Sequence, residues 1–118
     1  MRRAFTAVAL VMLATAPLKA EGLDGAKLYE ICEHNDPSST ENIVCAYYIK
    51  GFIEGMLFGD FSAKVTVGYC PPEDGISPET GRLIFRKFIQ DNPKASTDKA
   101  GVAVGAALLS AFPCKKPN

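Results

Sequence analysis

The chain contains no tryptophan, a single histidine (His34) and no Cys-x-x-Cys pair. A hydrolase of the usual kind needs a nucleophile beside a base, and a zinc site needs several His, Cys or acidic ligands. One histidine in a polar loop supplies neither. The missing Cys-x-x-Cys removes the thioredoxin-type redox motif and the zinc ribbon. Lysine and arginine are not clustered, so no nucleic-acid surface is legible. No glycine-rich loop follows a strand, as a phosphate cradle requires. The chain is therefore read as a non-enzyme with no cofactor and no metal.

Long apolar runs are scarce too. The longest proline-free apolar stretch after residue 20 spans 41–59, and Lys50 and Glu54 near its middle make it too polar for a membrane span. Residues 1–20 read differently. Arg2 and Arg3 precede an uncharged apolar run over 4–16, and Ala20 closes the segment before Glu21. That order predicts a secretory signal peptide cleaved after Ala20, and a periplasmic protein over 21–118 with no membrane contact after cleavage. An uncleaved anchor is the rival, against which the apolar run is short. The 118-residue chain has 13 basic and 13 acidic residues; without Arg2, Arg3 and Lys19, ten bases face the 13 acids, a net charge of −3.

What is present is a set of helix signals and four cysteines. Asp24 is a candidate N-cap for a first helix over 25–33, with Leu28, Ile31 and Cys32 on one face. Ser39 or Thr40 caps a second helix over 41–59. Ser77-Pro78-Glu79 is a strong start for a third, running to about residue 90. Its Leu83, Ile84, Phe85, Phe88 and Ile89 form an apolar face, with Arg82, Arg86 and Lys87 expected outside. Ser96 or Thr97 is expected to cap a last helix ending near Phe112, made largely of small residues. The fold class is all-α: a small disulfide-stapled bundle of about four helices, arranged as two αα-hairpins.

Cys32, Cys45, Cys70 and Cys114 allow three pairings. Residues equidistant from a hairpin's loop midpoint lie opposite each other. Cys32 and Cys45 are symmetric about the 37–39 loop; Cys70 and Cys114 are symmetric about Asn92. The expected bridges are therefore Cys32–Cys45 and Cys70–Cys114.

The second helix carries Gly51, Gly55 and Gly59 four residues apart, on one stripe. Each costs about 0.5–1 kcal/mol relative to alanine inside a helix. A close backbone neighbour is the simplest reason. Two candidates stand open: the small-residue last helix, or the same helix of a second copy. Tyr48 and Phe52 share a face near Gly55, while Tyr47 and Phe58 lie elsewhere. So many aromatics exceed what one small core needs, and one stripe is expected to be an interface, as in a symmetric homodimer.

The pieces Cys45-Ala-Tyr-Tyr-Ile-Lys-Gly-Phe-Ile-Glu-Gly, Tyr69-Cys70-Pro71-Pro72 and Ala111-Phe112-Pro113-Cys114 together resemble the Rap/Tai family of immunity proteins associated with type VI secretion. The matching positions are Tyr48, Ile49, Gly51, Gly55, Cys70, Pro72 and 111–114, and the likeness runs over 23–114. It implies a helical, disulfide-linked periplasmic protein, often dimeric, that binds a peptidoglycan-cleaving amidase and blocks its active site. Contacts are expected in the irregular segments, at Asp60, Phe61, Lys64, Val65, Val67, Tyr69, Glu73 and Asp74, because recognition usually sits on loops of a rigid scaffold. Two other readings stay open: a small periplasmic stress protein of the acid-activated chaperone kind, and a structural or binding subunit of the envelope.

Overall fold

The computed structural model describes residues 22–63 and 68–115; the predicted signal peptide lies outside them. The described residues form four α-helices: α1 (Gly25–Cys32), α2 (Thr40–Ala63), α3 (Pro78–Asp91) and α4 (Ala100–Ala111). A short 3-10 helix, Pro93–Thr97, joins α3 to α4. Two isolated bridges, Asp24 with Lys99 and Tyr69 with Pro113, are the only extended pairings among the described residues. The all-α class is as expected, and α1 packs on α2 while α3 packs on α4.

Local signals set three of the four helix starts. The Asp24 carboxylate accepts from the Lys27 N–H at 2.8 Å. The Ser39 hydroxyl accepts from the Asn42 N–H at 3.1 Å. The Ser77 hydroxyl accepts from the Thr80 N–H at 3.1 Å, with Pro78 in the first turn. Each satisfies a donor that the first turn leaves free.

The start of α4 departs from expectation. Ser96 and Thr97 do not cap it. They lie in the 3-10 helix, where their hydroxyls donate to the carbonyls of Pro93 (2.6 Å) and Lys94 (2.9 Å). Lys99 is the N-cap and offers no side-chain bond. Backbone pairing replaces it: the Ala100 N–H donates to the Leu23 carbonyl at 2.9 Å, and the Gly25 N–H to the Asp98 carbonyl at 2.8 Å.

Leu28 and Cys32 of α1, Cys45, Ile49 and Ile53 of α2, Phe85 and Ile89 of α3, and Ala103, Val104, Ala107 and Leu108 of α4 build one core. Burying side chains of this size contributes about 1.5–3 kcal/mol for each large aliphatic or aromatic. Both expected disulfides are present, Cys32–Cys45 and Cys70–Cys114. The first lies inside the core, with both cysteines at 0% exposure.

The glycine stripe of α2 is not where the small residues of α4 pack. A Cβ added at Gly51, Gly55 or Gly59 would find nothing within 4 Å. The expected internal partner is therefore absent among the described residues. The small residues work in the opposite sense. A Cβ on Gly101 or Gly105 of α4 would stand 3.2 or 3.3 Å from the ring of Phe52. Large side chains of α2 seat in a notch of α4, which is ordinary size complementarity. The closest approach is at Gly81 of α3, where a Cβ would sit 2.6 Å from Cγ2 of Ile49.

Two residues of α3 also change places. Arg82 is buried at 3% exposure, and Leu83 is half exposed at 50%. The buried face runs through Gly81, Arg82, Phe85 and Ile89, a helical i, i+4 row that leaves Leu83 off it.

Candidate functional site

Arg82 is held from two sides. Its Nε and Nη2 donate to the two carboxylate oxygens of Glu79 at 2.8 and 2.6 Å, a forked pair. Its Nη1 donates to the Cys32 carbonyl at 2.6 Å, placing a cation at the C-terminal end of α1. The bond with Arg82 holds the Glu79 carboxyl below the usual carboxylate range, and the same bond raises Arg82. Asn42, buried on α2, donates its side-chain amide to the His34 carbonyl at 2.8 Å. His34, the one histidine, thus contributes its carbonyl, and its ring stays exposed. The cluster fixes the loop between α1 and α2 and contains no nucleophile. No group of three or more His, Cys, Asp or Glu positioned for a metal occurs among the described residues.

The predicted contact residues fall in three places. Asp60 and Phe61, expected in an irregular segment, belong instead to α2, which continues past Gly59 to Ala63 because no proline stops it there; Asp60 is exposed. Lys64, Val65 and Val67 lie outside the described residues. Tyr69, Glu73 and Asp74 belong to the connection before α3. There the Gly75 N–H donates to the Pro72 carbonyl at 2.8 Å, closing a turn that presents Glu73 and Asp74 to solvent. Gly75 has φ +72°, which favours glycine. No described hydrogen bond or ion pair joins Asp60 to this turn.

This turn is tied to the C-terminal end of α4. The Cys70 N–H donates to the Phe112 carbonyl at 2.9 Å and the Cys114 N–H to the Gly68 carbonyl at 3.2 Å, flanking the Cys70–Cys114 bridge. Tyr69 meets the Phe112 ring edge-on, with centroids 6.2 Å apart. Burial raises the Tyr69 phenol above its ordinary pKa.

The outer side of α2 is apolar and uncovered. Val44 (47% exposed), Tyr47 (68%) and Phe58 (70%) line up with Gly51 and Gly55 at helical spacing. Tyr48 and Phe52 turn inward and pack against the core, so the two aromatic pairs separate as their spacing implied. Around the helix, Phe52, seated on Gly101 and Gly105, lines with Met56, Val102, Ala106 and Leu109 an open apolar groove of about 490 Å³. Sequence reasoning missed this groove. Its signal was the row of small residues in α4, which both receives the Phe52 ring and forms a wall of the groove beside it.

These features define a class: a small all-α protein, stapled by two disulfides, that presents an exposed turn and an uncovered apolar helix face. The family of Rap1a immunity proteins matches residues 24–114, and the chain belongs to that family. No curated protein and no solved structure matches the chain. None of the described helices is long and apolar enough to cross a membrane.

Proposed function

We propose that the protein is exported through residues 1–20 and acts in the periplasm, where it binds a type VI peptidoglycan amidase and blocks its active site. Family membership over 24–114 carries this reading. The mode of action is steric: the scaffold holds the turn at Glu73 and Asp74 rigidly from one side by the Cys70–Cys114 tie and from the other by the capped start of α3. A pre-organised turn binds without first losing conformational entropy. The test uses the purified mature chain and the amidases encoded in the same genome. One equivalent is expected to stop peptidoglycan hydrolysis by one of them, and Glu73→Lys/Asp74→Lys to weaken that complex at least about tenfold. Unchanged hydrolysis by every such amidase overturns the proposal.

The same reading includes a homodimer through the outer face of α2. The face is close to a palindrome: Tyr47 and Phe58, Gly51 and Gly55, and Val44 and Ser62 are each nearly symmetric about position 53. A two-fold axis across the helix at position 53 would set two copies antiparallel, with Tyr47 of each against Phe58 of the other and Gly51 against Gly55. Such an axis keeps one edge of the helix on the same side in both copies. Lys50 and Glu54, both on one edge and both half exposed or more, would then meet Glu54 and Lys50 of the second copy. Light scattering on the purified chain is expected to give a dimer. Lys50→Glu is expected to weaken it about tenfold, and the swapped pair Lys50→Glu/Glu54→Lys to restore it. Gly55→Leu is expected to give a folded monomer, because the added side chain meets open space within its own chain. A monomeric wild type, or a dimeric Gly55→Leu, rejects this interface.

A further inference from the structure

The two disulfides sit in opposite environments. Cys32 and Cys45 are sealed in the core at 0% exposure, against Leu28, Ile49 and Phe85. Cys70 is exposed and Cys114 half-buried, and neither lies in a helix. Among the described residues, two backbone hydrogen bonds, the Tyr69–Pro113 pairing and the Tyr69–Phe112 edge contact flank the second bridge. The Tyr69 hydroxyl is buried there with no hydrogen-bond partner among the described residues. An unpartnered buried hydroxyl opposes closure, since opening returns it to water. Neither Cys70 nor Cys114 belongs to the core cluster, which residues of the four helices and the first disulfide build, and Tyr69 packs at its edge.

We infer that the Cys70–Cys114 bridge is a thiol–disulfide exchange site for a dithiol reductant, a clasp that opens while the helical body stays folded. A thiolate of the reductant attacks the Sγ of Cys70, the exposed residue of the pair. The S–S bond breaks, Cys114 leaves as a thiolate and takes a proton from water, and a mixed disulfide joins Cys70 to the reductant. The second reductant thiolate then attacks its own sulfur in that mixed disulfide. Cys70 leaves as a thiolate and takes a proton from water, and the reductant departs as a disulfide, having supplied both electrons. Exposed bridges exchange faster because attack needs a line of approach to sulfur, whereas a core bridge exchanges only after the surrounding helices part. Opening frees the turn at Glu73 and Asp74 from the end of α4. Its consequence for amidase binding rests on the function proposed above; the exchange itself does not.

The test is graded dithiothreitol on the intact mature chain, quenched with an alkylating agent and mapped by peptide. Cys70 and Cys114 are expected to be labelled at least about 100-fold faster than Cys32 and Cys45, with far-UV circular dichroism unchanged at the stage where only Cys70 and Cys114 are modified. Cys70→Ser/Cys114→Ser is expected to fold with Cys32–Cys45 intact. Equal labelling rates, earlier labelling of Cys32 and Cys45, or loss of helix with the first labelling would overturn the inference. Neither measurement involves an amidase, so failure here leaves the immunity reading standing. Loss of inhibition on clasp opening is a separate assay, interpretable only where the unreduced chain inhibits.

Discussion

Replacing Cys32 and Cys45 together by alanine is expected to lower the melting temperature by about 20 °C or more. Two contributions add. Closing a loop of this length restricts the unfolded chain by about 3 kcal/mol. Each sulfur is also fully buried among Leu28, Ile49 and Phe85, and its removal leaves a small cavity. That contributes about 1 kcal/mol per site. The sum is a large share of the 5–15 kcal/mol that holds a small domain together. The outer bridge makes an instructive contrast. It spans 44 residues, and chain entropy alone would rate it higher, at about 4 kcal/mol. When it is removed, however, the turn before α3 and the tail after α4 loosen in the native state as well. The net loss from Cys70→Ser/Cys114→Ser is therefore expected to be about half that value. Calorimetry on the two double variants decides the order. A larger drop for the outer pair would mean that loop length outweighs burial in this fold.

The pairing of the cysteines was legible because hairpin symmetry is a property of spacing alone. The starts of α1 and α3 were legible for a similar reason: Asp24 and Ser77 act within three residues of themselves. The start of α4 was not. It is set by bonds from Ala100 to Leu23 and from Gly25 to Asp98, across more than 70 residues, while Ser96 and Thr97 satisfy carbonyls of their own turn. Arg82 was misplaced for the same reason. Periodicity puts it beside an apolar row, and only the carbonyl of Cys32, 50 residues upstream, explains its burial. The glycines of α2 show a third kind of limit. Their spacing marks a face that another surface can approach closely, and it carries no information about which surface that is. The structure removes α4 as that partner, leaving the second copy as the candidate that the palindrome and the Lys50–Glu54 pair support. The groove between α2 and α4 needed the fold itself, since its walls come from positions roughly 50 residues apart.

Arg82→Met is expected to destabilise the fold by about 2–4 kcal/mol at pH 7, measured by urea denaturation. Most of this arises from the Cys32 carbonyl, which loses its 2.6 Å donor, and from the end of α1, which loses its cation. The ion pair itself adds less, because the Glu79 side chain is 55% exposed and solvent screens it. The two shares separate with pH. Hydrogen bonding to Arg82 depresses the folded-state pKa of Glu79, so its contribution is complete above the unfolded value of about 4.3 and is lost as pH falls through the folded value. Arg82 is raised, so its charge persists throughout that range. The gap between wild type and Arg82→Met should therefore stay constant from pH 7 to pH 5 and narrow at pH 3. It should not close, because a carbonyl acceptor does not titrate. Arg82→Lys keeps the cation and loses the fork, and is expected to recover about half of the loss. A difference below about 0.5 kcal/mol at pH 7 would mean that water replaces the guanidinium at no cost. A gap that vanished at pH 3 would assign the whole effect to Glu79.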